Sequence, residues 1–180
     1  VQKRSNKKIM EKVILVDKND RQVGLMEKQE AHIKGLLHRA FSIFIFNTKN
    51  ELLLQKRATQ KYHSGGLWTN TCCSHPRENE STIDAAYRRL NEEMGMFCDL
   101  ELKFNFIYKA KLDNNLYEHE LDHVFFGFSD SIPKINKEEV CAFDYKTLEF
   151  LKKDIIISPN NYTEWFKICL NEVYNKHKNK

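Results

Sequence analysis

The sequence predicts a single domain of the α+β class, built on a mixed or antiparallel sheet with helices on both of its faces (α/β/α). At 180 residues and 41% apolar composition, the chain is long enough for one sizeable core and too short for two comfortable ones. Strand patterns and helix patterns follow one another irregularly. Two of the strands are joined by a short turn, which favours antiparallel neighbours over a doubly wound parallel sheet.

The amino-terminal half of the chain is predicted to form strands. Lys12–Val16 is an apolar run, and Ala40–Phe46 is rich in aromatic and β-branched side chains. The turn residues Asn47–Asn50 lead into a partner strand over Leu52–Gln55. A loop that begins at a glycine pair and ends at a proline, Gly65–Pro76, has the composition of a functional segment.

An amphipathic helix is predicted over residues 82–94. Ser81 and Asp84 resemble a capping box, and Gly95 ends the helix. Glu93 lies about 60° around the axis from Leu90 at roughly 100° per residue, so its carboxylate borders the buried face and can serve a cleft. One face is expected to pack on the sheet through five side chains, Ile83, Ala86, Tyr87, Leu90 and Met94.

The carboxyl-terminal half is predicted to contain two strands and a final helix. The strands cover Leu102–Tyr108 and Asp122–Phe128 and flank the turn Asp113–Asn115, and the helix covers Thr163–Tyr174. We therefore expect a folded domain over residues 13–175, between a basic tail of residues 1–12 and a second basic tail of residues 176–180.

The net charge of +4 is concentrated at the chain ends. Residues 1–12 have a net charge of +4 and residues 176–180 one of +3, so the remainder has a net charge of −3. This distribution argues against a basic groove and against nucleic acid as a partner. No apolar run approaches the roughly 20 residues that cross a bilayer, and the amino terminus lacks the apolar segment of a secretory signal. We expect a soluble, cytoplasmic protein with no membrane partner.

The five cysteines favour a reducing compartment, because their number is odd and their spacing is not that of a disulfide framework. Cys98, Cys141 and Cys169 are interpreted as small buried hydrophobes. Cys72 and Cys73 are adjacent, so in an extended segment their side chains point in opposite directions.

The segment Asn70–Pro76 and the helix after it predict reactive chemistry. The segment contains a thiol and an imidazole, and the helix carries Arg88, Arg89, Glu92 and Glu93. These groups indicate proton transfer combined with metal binding. The alternative is two surface ion pairs at i,i+4 spacing worth a few tenths of a kcal/mol, but the basic residue comes first in each pair, which is the weaker order.

Two further carboxylates, Glu118 and Glu120, are two residues apart in a predicted extended segment and therefore share one face. Like charges side by side repel unless a divalent cation lies between them. The alternative is a solvated strand edge with scattered charges.

These motifs resemble a known family. The Nudix signature is matched in spacing by Glu80, Arg88, Leu90, Glu92, Glu93, Gly95 and Met96. Ser74 replaces a glycine of that signature, and Arg89 replaces the first acidic residue of the metal cluster in Nudix hydrolases. The elements Trp68–Asn70 and Cys73–Pro76 are similar to the active centre of type I isopentenyl diphosphate isomerases. The resemblance runs from about Val13 to the final helix and implies a Nudix fold.

The resemblance also implies cofactors and binding residues. One divalent metal, Mn²⁺, Mg²⁺ or Zn²⁺, would have five ligands, His32, His38, His75, Glu118 and Glu120. The His32–His38 spacing is one residue shorter than in some members, which leaves a loop-capping role for His32 open. A second cation, Mg²⁺, would arrive with the substrate diphosphate and be held by Glu93. The implied diphosphate contacts are Lys28, Arg57, Lys61 and Arg88.

The implied reaction is the reversible conversion of isopentenyl diphosphate to dimethylallyl diphosphate in isoprenoid biosynthesis, through a tertiary carbocation and without a redox cofactor. It requires a nearby acid, exclusion of water and a π face for the cation. Cys73 and Glu120 would act on opposite faces of the substrate, Tyr108 would assist Glu120, and Trp165 would face the cation. The remaining imidazoles, His63, His119, His123 and His177, are interpreted as structural or solvent-facing. A monomer or weak dimer is expected.

Two other functions stay open at this point. A Nudix hydrolase that cleaves a nucleoside or other diphosphate is favoured by Glu92 and Glu93, but it is opposed by Arg89 and by the Cys73–His75 element. A metal-stabilised binding module without catalysis would explain the histidine and glutamate residues alone. Neither alternative accounts for Cys73, Tyr108 and Trp165 together.

Overall fold

The computed structural model describes residues 11–178, and all structural statements refer to that range. Two single turns of 3-10 helix, Asp113–Asn115 and Pro159–Asn161, lie between the main elements. In chain order the main elements are β1 (Lys12–Val16), β2 (Gln22–Glu27), α1 (Lys28–Lys34), β3 (His38–Phe46), β4 (Glu51–Arg57), β5 (Trp68–Thr69), β6 (Cys72–Ser74), α2 (Thr82–Met94), β7 (Leu100–Lys111), β8 (Tyr117–Phe128), β9 (Val140–Thr147), α3 (Leu148–Ile157) and α4 (Glu164–Lys178).

The strands form a mixed sheet with β3 at its centre. β3 pairs parallel with β8, from His38 opposite Glu120 to Phe46 opposite Phe128. It pairs antiparallel with β1, β4 and β6, while β7 continues the sheet beyond β8 and β9 pairs with β4. The α+β class and the mixed sheet are confirmed.

The predicted turn between β3 and β4 is present, but the two strands separate at once. They share the single pair Phe46 and Leu52. Beyond that pair, β3 takes β8 as its partner and β4 takes β9. This separation opens the sheet on the side where the loop after β4 and the strand β6 enter.

Both faces of β3 are buried, which places helices on either side of the sheet. Phe44 and Phe46 pack in one apolar cluster with residues of α3 and α4, such as Leu151 and Phe166. Alternate side chains of β3, among them Ile43, pack in a second cluster with α2. The predicted α/β/α layering follows from this alternation.

Helix α2 begins and ends as its sequence predicts. The Ser81 hydroxyl accepts a hydrogen bond from the Asp84 amide at 3.2 Å. Gly95 has a left-handed φ of +59°, and a Cβ added there would lie 2.7 Å from the Lys134 carbonyl oxygen. Only glycine adopts a left-handed φ without strain and has no Cβ to collide with that oxygen. The end of α2 is therefore sharply defined.

Six elements were not predicted, namely β2, α1, β5, β6, β9 and α3, and the short strands β5 and β6 lie within the segment predicted as a loop, Gly65–Pro76. Helix α1 has only seven residues and is capped by Glu27, whose carboxylate accepts from the Gln29 and Glu30 amides, and glutamate is not a usual cap residue. Strand β9 has mostly half-buried side chains and pairs with β4 from a distant part of the chain. Local patterns do not contain that information.

One expectation about the cysteines is wrong. Cys169 is buried and Cys98 is half-buried, but Cys141 is exposed on the edge strand β9. Its thiol approaches the Arg57 carbonyl oxygen at 3.4 Å instead of entering the core.

The division into a domain and two basic tails stays a prediction. Lys12 already belongs to β1, and Lys176–Lys178 continue α4. Residues 1–10 of the expected amino-terminal tail lie outside the described range. Within the described range, no helix combines the length and apolar character needed to cross a membrane.

Candidate active site

One cavity collects most of the predicted site residues. Its lining includes the thiol of Cys73, the imidazole of His75 and the indole of Trp165. Three carboxylates, Glu93, Glu118 and Glu120, and three of the four predicted diphosphate contacts, Lys28, Arg57 and Lys61, also face it. His32 and His38 are fully buried beside the carboxylates, and Tyr108 lies behind them.

The sheet register places three of these groups in a row. His38 on β3 is opposite Glu120 on β8, and Glu120 is opposite Tyr108 on β7. Residues paired in this way point to the same face of a sheet. The Tyr108 hydroxyl lies 3.0 Å from Glu118 Oε2 and 2.6 Å from Glu120 Oε2, so the two carboxylates share one face, as their spacing predicts.

Three imidazoles surround the end of Glu120. His75 Nε2 lies 2.9 Å and His38 Nε2 lies 3.5 Å from Glu120 Oε1. His32 joins them, and the ligand atoms of His32, His38, His75 and Glu120 all lie within 4.8 Å of one another. A loop-capping role would not bring His32 to this point.

The hydrogen bonds of His32 and His38 fix which ring nitrogen faces the cluster. His32 Nδ1 lies 2.6 Å from the Lys28 carbonyl oxygen, and His38 Nδ1 lies 2.8 Å from that of Leu36. Because a carbonyl only accepts, each Nδ1 is the N–H and each Nε2 has the lone pair.

These lone pairs show that the cluster fits a metal ion. Among the described residues, Nε2 of His32 and of His38 is buried without a hydrogen-bond partner. A buried acceptor without a partner costs about 1–3 kcal/mol, and a backbone carbonyl behind the imidazole is the usual arrangement of metal-binding histidines. Neutral imidazoles and carboxylates suit a divalent cation.

The surroundings of Glu118 and Glu120 shift the pKa values of the two carboxylates in opposite directions. Burial and the neighbouring charge of Glu120 raise the pKa of Glu118 well above its usual range. Burial also acts to raise the pKa of Glu120, but the adjacent imidazoles of His38 and His75 outweigh it and hold that pKa well below its usual range. Of the two carboxylates, Glu118 is therefore the more readily protonated and Glu120 the more readily ionised.

The adjacent cysteines have opposite surroundings. Cys73 lines the cavity, whereas Cys72 is fully buried in the cluster under α2. This geometry confirms the alternation inferred from the sequence. Burial raises the pKa of Cys73, so its thiol keeps its proton at neutral pH.

The Trp-Thr-Asn motif holds the indole ring in place. Trp165 Nε1 donates to Asn70 Oδ1 at 3.3 Å, and the Thr69 hydroxyl donates to the same oxygen at 2.8 Å. Asn70 Nδ2 in turn donates to the carbonyl oxygens of Ile43 and Cys72. All donors and acceptors are buried, so the ring has a fixed position on the cavity wall.

The two arginines of α2 have different positions. Arg88 makes two hydrogen bonds to Glu80, at 2.6 and 2.8 Å, and a third to Glu92 at 3.2 Å, and it is not among the cavity residues. Arg89 lines the cavity and contacts Glu93 and Glu139. The structure thus does not bring Arg88 to the other predicted diphosphate contacts.

The three other cationic side chains at the cavity each contact a neighbouring residue. The Arg57 guanidinium lies 5.2 Å from the ring centre of Trp165. Lys28 pairs with Glu11 at 3.1 Å, and Lys61 pairs with Glu139. Each places a positive charge at the cavity beside the carboxylates, which suits an anionic ligand.

His63 was interpreted from the sequence as structural or solvent-facing, but it lines the cavity. It is buried, and burial lowers its pKa to about 2. Tyr62 and Ser74 also line the cavity without having been predicted to do so. Tyr62 and His63 lie in the loop between β4 and β5, which contains no periodic pattern, so the sequence offered no signal for the direction of these two side chains.

Solved structures share the fold of this protein, and a family model gives its class. DR0079 from Deinococcus radiodurans superposes with a TM-score of 0.75 over 91% of this chain and 99% of its own, at 16% identity. A MutT protein from Methanosarcina mazei superposes with a TM-score of 0.63 over 80% of this chain and 96% of its own, at 17% identity. The NUDIX domain family matches residues 36–166. The chain is a Nudix-domain protein.

Curated relatives give the particular family. The isopentenyl-diphosphate delta-isomerase of Pectobacterium atrosepticum is 53% identical over 156 residues, which are 87% of this chain and 87% of the relative. The isopentenyl-diphosphate delta-isomerase 2 of Photorhabdus laumondii is 54% identical over 161 residues, 88% of this chain and 90% of the relative. The chain belongs to the isopentenyl-diphosphate delta-isomerase family, which makes it an enzyme and favours isomerisation over hydrolysis.

Proposed function

We propose that this enzyme interconverts isopentenyl diphosphate and dimethylallyl diphosphate by protonation and deprotonation through a tertiary carbocation. The observation that supports this most directly is the meeting of Cys73, Glu120 and Trp165 at one cavity that is also lined by cations. A hydrolase needs none of the first three groups in that combination.

Cys73 and Glu120 exchange protons with the substrate. One group delivers a proton to the terminal carbon of the double bond, which leaves a tertiary cation. The other removes a proton from the methylene carbon beside the cation, and the double bond forms there. Because the reaction is reversible, the two groups exchange roles between the two directions. The substrate gains one proton and loses one, and a proton is left transferred from one enzyme group to the other. The original protonation of Cys73 and Glu120 is restored by proton exchange with solvent before the next turnover.

Tyr108 assists the proton transfer, and Trp165 stabilises the carbocation. The Tyr108 hydroxyl contacts both Glu118 and Glu120 and is a path for a proton between them. The indole face of Trp165, held by Asn70, stabilises a cation by its quadrupole. Both aromatic residues are buried, so the surface they present to the cation is apolar.

The diphosphate is bound at the cationic side of the cavity. Lys28, Arg57 and Lys61 supply positive charge there, and we add Arg89 from α2 in preference to Arg88. Glu93 would hold the Mg²⁺ that accompanies the diphosphate, and its carboxylate oxygens accept from Gln55 and from Arg89.

The metal centre would be formed by His32, His38, His75, Glu118 and Glu120, and the bound ion would be Mn²⁺, Mg²⁺ or Zn²⁺. Its chemical contribution is a fixed positive charge that orients Glu120 and stabilises its ionised form. The imidazoles of His32 and His38, positioned by backbone carbonyls, would help hold that carboxylate in one orientation.

The test is proton NMR of the purified protein with isopentenyl diphosphate and Mg²⁺ in deuterated water. Loss of the vinylic signals, appearance of dimethylallyl diphosphate and deuterium incorporation are expected. Release of inorganic phosphate or a monophosphate would instead support the hydrolase. Unchanged substrate in a folded, metal-loaded sample would contradict the proposal.

A further inference from the structure

The proposed reaction gives no role to His63, although this histidine faces the same cavity. Its side chain is 5% exposed and packs edge-on against Tyr62, with ring centres 4.5 Å apart. His63 Nδ1 lies 3.3 Å from the Ser64 hydroxyl. The other nitrogen, Nε2, faces Glu118 Oε1 across 3.9 Å.

This distance fits a shared cation better than a direct contact. At 3.9 Å, His63 Nε2 and Glu118 Oε1 are too far apart for a hydrogen bond. Two ligand atoms bound to one divalent ion at about 2.1 Å each lie at most about 4.2 Å apart. The separation is therefore within the range for two ligands of one metal.

His32 connects this pair to the main cluster. The ligand atoms of His32, His63 and Glu118 also lie within 4.8 Å of one another. The Nε2 lone pair of His32 is buried, has no hydrogen-bond partner among residues 11–178, and binds one ion at a time. The two groups of residues thus describe one centre with a shared ligand, not two independent sites.

The loop after β4 fixes the position of His63. Arg57 Nη2 donates to the His63 carbonyl oxygen at 3.3 Å. Ser64 and Gly66 both have left-handed φ values, of +51° and +76°. A Cβ on Gly65 would lie 2.5 Å from the Thr59 carbonyl oxygen. Such a loop is constrained, so the imidazole is pre-positioned, as metal ligands require.

We propose that His63 is a sixth protein ligand of the metal centre, in addition to His32, His38, His75, Glu118 and Glu120. Four imidazoles and two carboxylates fill six coordination positions. Nitrogen ligands in this number favour transition-metal ions such as Co²⁺, Mn²⁺ or Zn²⁺ over Mg²⁺. The inference rests on the metal centre of the proposed function and names its coordination and the class of ion that it selects.

The experiment is a Co²⁺ titration of the metal-free full chain, followed by visible absorption. His63→Ala is expected to weaken Co²⁺ binding about ten- to a hundredfold and to change the absorption spectrum, because one nitrogen ligand is lost. Added imidazole is expected to restore affinity and spectrum. Mg²⁺ is expected not to displace Co²⁺ from the native chain at millimolar concentration.

The matched control is His119→Ala. His119 is a neighbour of the same carboxylates in β8, but its ring contacts the Gly35 carbonyl oxygen at 3.0 Å, outside the cavity. This variant is expected to bind Co²⁺ as the native chain does. His75→Ala, which removes one of the five ligands of the proposed function, is expected to show strong loss of Co²⁺ binding.

Three results would overturn the proposal. The first is Co²⁺ affinity of His63→Ala within threefold of the native value, with the same spectrum. The second is weaker binding that imidazole does not restore, which would assign His63 to loop packing. The third is ready displacement of Co²⁺ by Mg²⁺. His63→Gln replaces the alanine variant if the latter does not fold. These readouts do not involve turnover, so they remain valid if the isomerase assay fails.

Discussion

Cys72 and Cys73 provide the sharpest test at the scale of single residues. Cys73→Ala is expected to lower turnover by about 10²–10⁴-fold, the usual contribution of a positioned acid or base. Cys72→Ala is expected to keep turnover within a few-fold of the native value, because Cys72 lies in the core under α2 and not at the cavity. Steady-state kinetics with isopentenyl diphosphate measures both.

The control for this pair is thermal unfolding. Cys72→Ala is expected to lower the unfolding midpoint, since it leaves a small space in a fully buried cluster. Loss of turnover in Cys72→Ala with full activity in Cys73→Ala would contradict our assignment of the reactive thiol.

The two arginines of α2 give a second residue-level prediction. Arg89→Ala is expected to lower kcat/KM for isopentenyl diphosphate by roughly 10- to 100-fold, because a charge-assisted contact to a phosphate is worth about 1.5–3 kcal/mol. Arg88→Ala is expected to change it less than threefold, since Arg88 is held by Glu80 and Glu92 away from the cavity.

Initial-rate kinetics over a range of substrate concentrations distinguishes the two variants. If Arg88→Ala were the more damaging change, the diphosphate would be bound by the residue that the family resemblance indicated, and the position of Arg89 at the cavity would need another explanation.

At the scale of the element, the end of α2 is expected to depend on glycine. Gly95→Ala is expected to destabilise the protein by at least about 1 kcal/mol, because a left-handed φ costs an alanine about that much and the Lys134 carbonyl blocks the new methyl group. Urea unfolding monitored by circular dichroism measures the free energy of unfolding.

Gly24→Ala in β2 is the matched control. The nearest atom to an added Cβ there is Leu15 Cδ1 at 3.7 Å, which is ordinary contact, and the backbone is not left-handed. This variant is expected to stay within about 0.5 kcal/mol of the native stability. Equal effects of the two substitutions would argue against the conformational explanation.

Features contained within a single helix or strand could be predicted from the sequence. Helix α2 was predicted with its cap and both ends, because its signals are local. The directions of Cys72 and Cys73 and the shared face of Glu118 and Glu120 followed from strand alternation alone. In these cases one element contains all the information.

Features that depend on two distant segments were not predicted. The orientation of His63 depends on a loop fixed by left-handed residues and by Thr59, and the pairing of β9 depends on β4. The metal ligands were named through the family resemblance, since no spacing connects His38 to Glu120. Their meeting depends on the parallel register of β3 and β8.

At the scale of the whole molecule, the metal ion is expected to contribute to stability. Removal of the ion by a chelator, followed by desalting, is expected to lower the unfolding midpoint by about 5–10 °C. A free ion concentration of 100 times the dissociation constant adds about 2.7 kcal/mol to the free energy of unfolding. Each kcal/mol shifts the unfolding midpoint by about 2–4 °C in a domain of this size. Differential scanning calorimetry measures the shift.

Readdition of Mn²⁺ or Zn²⁺ is expected to reverse the shift in the native chain and not in His38→Ala. His38 is fully buried, so in His38→Ala no water is expected to reach the position of the lost ligand and replace it. An unchanged midpoint after verified metal removal would mean that the histidine cluster contributes nothing to folding stability.

The parallel pairing of β3 with β8 also has a consequence for how the protein is made. During synthesis, His38 leaves the ribosome long before Glu120 does, and the two become neighbours only after β8 has been completed. Pairings of such long range in sequence slow folding. A nascent chain therefore exposes the apolar strand β3 without its principal partner, and it gains the capacity for chemistry only after β8 has been synthesised.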